Sequence, residues 1–183
     1  MIDTIRPSPH GLVTVTLHWL VAILFVIAFA FGQIMEELPR GDAKLTVLGW
    51  HLLAGTAIFA LLLPRLLARA INAGFRHEQG PIWEQRAAKF VHFGMYGLMV
   101  CLPLTGFLAV ATGRSAVPLW GEFKLEPLFT SKMLHGAMEE THEFLVSVLI
   151  AAVAAHVLGV LWHKFIRRDD VAGRMWPFGR HQR

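Results

Sequence analysis

The sequence alternates between four long runs of apolar residues and shorter pieces that are rich in turn-forming or charged residues. The apolar runs cover about 11–32, 45–67, 88–112 and 138–165. Each run is long enough to cross a bilayer as an α-helix, which takes about 20 residues. The pattern predicts an all-α integral membrane protein, a four-helix bundle that forms a single domain over residues 1–183.

The composition supports a membrane protein and excludes several other classes. Of the 183 residues, 55% are hydrophobic and 16% are charged, against about 45–50% and about 25% in soluble proteins. The net charge of +4 does not indicate nucleic acid binding, because the basic residues lie between the apolar runs and form no single patch. Cys101 is the only cysteine in the sequence. An internal disulfide, a cysteine-based metal cluster and a covalently attached c-type haem are therefore excluded.

Lysine and arginine residues are distributed unevenly between the two sides of the predicted bundle. One side, formed by the N-terminal segment, the second connection and the C-terminal tail, has twelve of them: Arg6, Arg65, Arg69, Arg76, Arg86, Lys89, Lys164, Arg167, Arg168, Arg174, Arg180 and Arg183. The opposite side has five: Arg40, Lys44, Arg114, Lys124 and Lys132. Because basic residues favour the cytoplasmic side of a membrane, this asymmetry predicts that both termini are cytoplasmic.

Four histidines inside the apolar runs form two pairs when they are sorted by predicted depth. His18 and His156 fall in the inner half of the membrane, whereas His51 and His142 fall in the outer half. The spacing of fourteen positions from His142 to His156 places both on one face of a helix, about 21 Å apart. Two stacked haem groups need a spacing of this kind, and imidazole is a common axial ligand of haem iron.

Other interpretations of the histidines are less consistent with the sequence. A proton pathway would be expected to include buried acidic residues, but no Asp or Glu lies in the middle of a run. A single zinc ion could not be reached by ligands about 21 Å apart along one helix. His135 and His163 continue the stripe of His142 and His156 in both directions, and their depth places them at the membrane surfaces. His92 lies at the inner mouth of the third run, where an interfacial role is equally consistent.

Several short strings give the chain a resemblance to a known family. They are Leu17-His18-Trp19, His51-Leu52-Leu53-Ala54-Gly55, Pro64-Arg65-Leu66-Leu67, Leu102-Pro103-Leu104-Thr105-Gly106, and His142-Glu143 followed fourteen residues later by His156. In this order and spacing the strings resemble the bacterial cytochrome b561 family, from about residue 10 to the basic tail.

The resemblance implies a cofactor set and a location. It implies two b-type haems, the inner one held by His18 and His156 and the outer one held by His51 and His142. It also implies a multi-pass protein of the bacterial inner membrane, in contact with lipid, which passes electrons between the outer face and the quinone pool.

Two functions are compatible with this resemblance. The first is an oxidoreductase that takes electrons from superoxide and reduces ubiquinone or another quinone. The alternative is a haem-bearing membrane anchor subunit of a larger redox complex, such as a hydrogenase, in which a partner protein delivers the electrons. His163, Arg65 and Arg69 at the inner rim are candidate contacts of a quinone or of the haem propionates, with interfacial snorkelling as the alternative interpretation. No catalytic residue is predicted.

Overall fold

The computed structural model describes residues 11–71 and 80–169. The basic residues Arg6, Arg76, Arg174, Arg180 and Arg183, which contribute to the predicted orientation, lie outside the described residues. We call the end of the bundle that carries the α1–α2 and α3–α4 connections the outer end, following that orientation, and the opposite end the inner end.

The described residues form four long helices, as the apolar runs predict. These are α1 (Leu12–Glu37), α2 (Asp42–Ile71), α3 (Ile82–Ala111) and α4 (Lys132–Trp162), and a single π-helical turn (His163–Arg167) continues α4. All four are long and apolar enough to span a membrane. The predicted fold class, an all-α membrane bundle, is confirmed.

The helices extend past the apolar runs at most of their ends. α3 begins at Ile82, directly after Pro81, and α4 begins at Lys132, where the Ser131 hydroxyl accepts a hydrogen bond from the Leu134 amide (3.4 Å). Hydropathy marks the part of a helix that lies in hydrocarbon, whereas caps determine where the helix begins. The apolar pattern therefore does not predict the polar turns at the ends of the helices.

The bundle consists of two helical hairpins. α1 packs against α2 around Val21, Ala28, Ala54 and Ile58. α3 packs against α4 around the buried side chains of Leu98, Leu102 and Leu149, with partly buried neighbours. Many large apolar side chains point outward instead, as expected when the surrounding medium is lipid.

The α3–α4 connection contains a small β-hairpin that the sequence did not predict. Strands β1 (Val117–Trp120) and β2 (Phe123–Leu125) pair antiparallel, with a bulge between Pro118 and Trp120. Strand β1 lies against α2, where the carbonyl of Pro118 approaches Gly49 so closely that a Cβ atom at Gly49 would overlap it. The hairpin is thus fixed to the outer part of the other helical pair.

Candidate functional site

A large cavity separates the two helical hairpins and runs along the bundle. Its volume is about 2630 Å³, and residues of all four helices line it. Ordinary ligand pockets measure about 300–1,000 Å³. The cavity extends from Arg40 and Lys132 at the outer end to His163 at the inner end. It has room for more than one large ligand.

The structure places His51 of α2 and His142 of α4 opposite each other in the outer half of this cavity, with their ring planes at 75°. Their ring centroids are 5.9 Å apart. Two metal–imidazole bonds of about 2 Å place two opposed nitrogens about 4 Å apart and the ring centroids about 6 Å apart. The separation of the two rings therefore matches a pair of imidazoles that hold one metal ion between them.

Hydrogen bonds fix the protonation pattern of both outer histidines. Nδ1 of His51 donates to the carbonyl oxygen of Ala28 (2.8 Å), and Nδ1 of His142 donates to that of Leu102 (3.0 Å). A carbonyl oxygen can only accept, so Nδ1 carries the proton in each ring. In the neutral ring, the lone pair is then on Nε2. Metal-ligating histidines almost always show this arrangement, which orients the ring and raises its basicity.

A glycine on the neighbouring helix provides space for each outer ring. A Cβ atom at Gly106 of α3 would lie 3.2 Å from Cε1 of His142, closer than an ordinary contact. A Cβ atom at Gly32 of α1 would lie 3.8 Å from Cε1 of His51. Each glycine lies four residues after the carbonyl that accepts the hydrogen bond, Leu102 for Gly106 and Ala28 for Gly32. The two helical hairpins thus hold their outer histidines in the same way.

At the depth of the inner pair, three histidine rings lie close together rather than two. The ring centroids of His18 (α1) and His156 (α4) are 6.2 Å apart, which also fits two imidazoles on one metal ion. His92 of α3 is nearer still, with its centroid 5.2 Å from that of His156. The sequence did not single out His92 as a member of this group, because a histidine at a helix mouth is equally typical of an interface.

The hydrogen bond of His18 differs in kind from those of the outer histidines. Nη2 of Arg65 lies 2.8 Å from Nδ1 of His18. A guanidinium can only donate, so Nδ1 accepts and the proton of neutral His18 is on Nε2. In this arrangement neither ring nitrogen of His18 offers a free lone pair. His18 can bind a metal ion only if the contact with Arg65 is given up.

The residues that line the cavity fit haem. Two opposed imidazole pairs at two depths would each be able to hold a haem iron, and no thiol is needed for non-covalent binding. Nη1 of Arg65 is buried and has no hydrogen-bond partner among the residues that the structure describes. Unpaired buried donors are rare in proteins, so this guanidinium calls for an anionic partner, which a haem propionate would provide.

The candidate quinone contacts lie at the inner end of the cavity. Arg65 and Arg69 both contact the ring of Tyr96, with their guanidinium carbons 5.9 and 5.7 Å from its centroid. His163 opens the π-helical turn, and its Nδ1 is 2.9 Å from Oδ2 of Asp169. This pairing orients the His163 ring. It was not predicted, because nothing in the apolar pattern identifies Asp169.

A buried carboxylate joins the inner ends of α3 and α4. Glu84 is 9% exposed. Its Oε1 accepts a hydrogen bond from Nε1 of Trp162 (3.2 Å), and its Oε2 is 3.6 Å from Nε of Arg167. Glu84 was not predicted as a site residue, because it precedes the third apolar run and its partners are at the far end of α4. These contacts fix the position of the π-helical turn that carries His163.

Comparisons with known proteins identify the family of this chain. The family model described as prokaryotic cytochrome b561 matches residues 9–178. Cytochrome b561 homolog 1 of Escherichia coli (strain K12) is 25% identical over 164 residues, which cover 88% of this chain and 93% of the relative. Cytochrome b561 homolog 2 of the same organism is 25% identical over 187 residues, covering 96% and 95%. A protein of Yersinia pestis named probable superoxide oxidase CybB is 23% identical over 178 residues, covering 92% and 96%.

Proposed function

Since the chain belongs to the prokaryotic cytochrome b561 family, we propose that it is a di-haem protein of the bacterial inner membrane that transfers electrons from a donor at the outer face to the quinone pool. The observation that carries this proposal is the presence of two imidazole pairs, with centroid separations of 5.9 and 6.2 Å, at two depths of one continuous cavity. We assign the outer haem to His51 and His142 and the inner haem to His18 and His156.

When bound, the haems supply one-electron transfer; the protein supplies their placement. The spacing of fourteen positions from His142 to His156 separates the two sites by about 21 Å along α4. The carbonyls of Ala28 and Leu102 hold the outer imidazoles in the tautomer that leaves Nε2 available.

We propose superoxide as one donor. The support is the name of the Yersinia pestis relative together with four cationic side chains that line the outer part of the cavity. These are Arg40, Lys44, Arg114 and Lys132. Cationic groups at the mouth of a cavity raise the local concentration of an anion. The reaction balances as two superoxide ions, one quinone and two protons giving two dioxygen molecules and one quinol.

The acceptor site is proposed at the inner end of the cavity. Nδ1 of His163 donates to Asp169, so the ring is held in one orientation, and in its doubly protonated form it can donate from Nε2 to a quinone carbonyl. Arg65 and Arg69 are further candidate contacts, toward either the quinone or a haem propionate. Because a quinone takes up two protons when it is reduced, a histidine backed by a carboxylate is a suitable proton donor at this position.

The purified protein alone tests this proposal. In detergent, with superoxide generated enzymatically and a soluble ubiquinone analogue present, we expect superoxide-dependent formation of the quinol. Lys132→Gln should slow reduction of the haems by superoxide, whereas Lys124→Gln is the matched control, because Lys124 is not among the residues that line the cavity. Haem reduction that needs an added partner protein, with no response to superoxide, would contradict a superoxide donor and favour the anchor-subunit alternative.

A further inference from the structure

His135, which the proposed haem sites do not use, is held in the same way as the two outer histidines. Its Nδ1 donates to the carbonyl oxygen of Ala109 (2.7 Å). A Cβ atom at Gly113, four residues after Ala109, would lie 3.8 Å from Cε1 of His135. Thus the combination of a helix carbonyl, a glycine four residues later and a histidine ring occurs a third time.

The third copy is related to the second by one heptad on each of two antiparallel helices. Leu102 and Gly106 on α3 are followed seven residues later by Ala109 and Gly113, and His135 precedes His142 by seven residues on α4. His135 therefore lies about 10 Å from His142 toward the outer end. Because Nδ1 carries the proton, Nε2 of the neutral ring has a free lone pair.

The free nitrogen of His135 is at the open outer end of the cavity. His135 lines the cavity, and its side chain is 42% exposed. Nε2 lies 3.8 Å from Oε2 of Glu139, whose side chain is 60% exposed. The charged residues that line this outer part of the cavity from α1, α2, α4 and the two connections are Glu36, Arg40, Lys44, Arg114, Lys132, Glu139 and Glu143.

An oriented imidazole at this position can bind a metal ion or accept a proton. The group that faces Nε2 of His135 is the carboxylate of Glu139 rather than another imidazole. This neighbour suits proton transfer, with Glu139 as the next acceptor toward the outer solution. Superoxide has no proton to lose, so a base at this position has no use in its oxidation.

We propose that His135 is the proton acceptor for a second class of donor at the outer face, a small molecule with an oxidisable hydroxyl group such as a hydroquinone. This inference rests on the proposed assignment of the outer haem to His51 and His142. In the first step the O–H bond of the donor breaks. Its proton would go to Nε2 of His135, the outer haem held by His51 and His142 would take up one electron, and the donor would become a neutral radical. Once the proton had moved to Glu139 and the outer solution, and the first electron had passed on toward the inner haem and the quinone acceptor, a second electron and proton would follow by the same route, and the donor would leave as the quinone.

The base contributes because a phenolic hydroxyl is a weak acid, with a pKa of about 10 in the tyrosine side chain. Removal of the electron and the proton together avoids the free phenolate. A positioned general base typically accelerates such a step by about 10²–10⁴-fold. Oxidation of a hydroquinone by this protein should therefore depend on His135, and oxidation of superoxide should not.

The test compares two donors in stopped-flow measurements of haem reduction on the purified holoprotein. The donors are hydroquinone sulfonate and superoxide, and the first variant is His135→Asn, whose amide nitrogen takes the position of Nδ1 and can still donate to the Ala109 carbonyl. We expect reduction by hydroquinone sulfonate to slow by at least about tenfold and reduction by superoxide to change by less than about twofold. Glu139→Gln should also slow the hydroquinone reaction, whereas Glu140→Gln, which does not line the cavity, is the matched control.

Rescue separates a proton-accepting role from a structural one. Added imidazole should restore hydroquinone-dependent reduction in His135→Ala and should leave the rate of Glu139→Gln unchanged. Equal slowing with both donors, no slowing with either, no reduction of the wild-type protein by hydroquinone sulfonate, or the absence of imidazole rescue would each overturn the proposal. Failure of the proposed function is seen separately, as a wild-type protein that lacks two haems or does not pass electrons from superoxide to a quinone.

Discussion

The outer and inner histidine pairs have nearly equal ring separations, 5.9 and 6.2 Å, but their surroundings are opposite in kind. At the outer pair, backbone carbonyls accept from Nδ1 of both rings, so both Nε2 atoms are ready to bind a metal ion. At the inner pair, Arg65 donates to Nδ1 of His18 and a third histidine, His92, contacts His156. The outer pair is thus already arranged to bind a metal ion. At the inner pair, the contact between Arg65 and His18 has to be given up first.

The two histidine pairs also differ in how freely the groups around them can move. Backbone carbonyls are fixed by the helix, so the outer imidazoles have little freedom to move. Arg65 and His92 are side chains that can change partners, and the unpaired Nη1 of Arg65 provides a positive charge within the inner site. We therefore expect the outer haem to bind tightly with constant properties and the inner haem to respond to the charges around it.

The largest expected effect is the loss of one haem. His51→Ala or His142→Ala should remove the outer haem, and His18→Ala or His156→Ala the inner one, because one axial imidazole leaves the iron weakly held. Pyridine haemochrome analysis should then give one haem per chain for each variant. His135→Ala and His163→Ala serve as controls that should retain both haems. Loss of a haem in His163→Ala but not in His156→Ala would show that the ligand on α4 has been assigned two turns too far out.

A smaller effect is expected from crowding the outer site. Gly106→Ala places a Cβ atom 3.2 Å from Cε1 of His142, so the ring must shift while its Nδ1 remains tied to Leu102. We expect release of the outer haem to an acceptor apoprotein to be about tenfold faster, which corresponds to about 1.4 kcal/mol. The matched control is Gly94→Ala on the same helix, where a Cβ atom meets nothing within 4 Å. Identical release rates in the two variants would show that the glycine is not needed to seat His142.

The charge of Arg65 should tune the inner haem. Arg65→Gln removes a positive charge that favours the reduced haem, so we expect the inner midpoint potential to fall by on the order of 60 mV, or about 1.4 kcal/mol for one electron. The outer potential should not change. Potentiometric titration of both haems measures this, with the exposed Arg86→Gln as control. A shift confined to the outer haem would contradict the assignment of the two sites.

The smallest expected effect concerns the carboxylate behind His163. Asp169→Asn weakens the hydrogen bond that orients the His163 ring, so quinone reduction should slow by about fivefold, the equivalent of about 1 kcal/mol. Haem reduction by superoxide should keep its wild-type rate, because the donor reacts at the other end of the cavity. Steady-state kinetics with a ubiquinone analogue, next to stopped-flow haem reduction, separates the two. Equal slowing of quinone reduction and of haem reduction by superoxide would show that Asp169 supports the folded structure as a whole rather than the acceptor site.

The sequence predicted those features that the geometry of a single helix determines. The apolar runs predicted four membrane helices, and the spacing of His142 and His156 predicted two depths on one face, because helical rise and twist are nearly constant. The grouping of His18 with His156 and of His51 with His142 followed from depth alone. No contact between helices had to be known for these predictions.

Features that depend on contacts between elements were missed. The β-hairpin at 117–125 needs the close approach of Pro118 to Gly49 on another helix. Glu84 is recognisable only from its partner Trp162, 78 residues away in the sequence. The tautomers of His18 and His51 depend on whether an arginine or a carbonyl faces Nδ1. None of these partners can be read from the local pattern of apolar and polar residues.

The number of haems per chain tests the central claim most directly. For the purified wild-type protein, pyridine haemochrome analysis against protein concentration should give two haems per chain. Because Cys101 is the only cysteine, acid–acetone extraction should remove both haems. One haem per chain, or haem that stays with the protein after extraction, would contradict the assignment of two bis-histidine sites to this cavity.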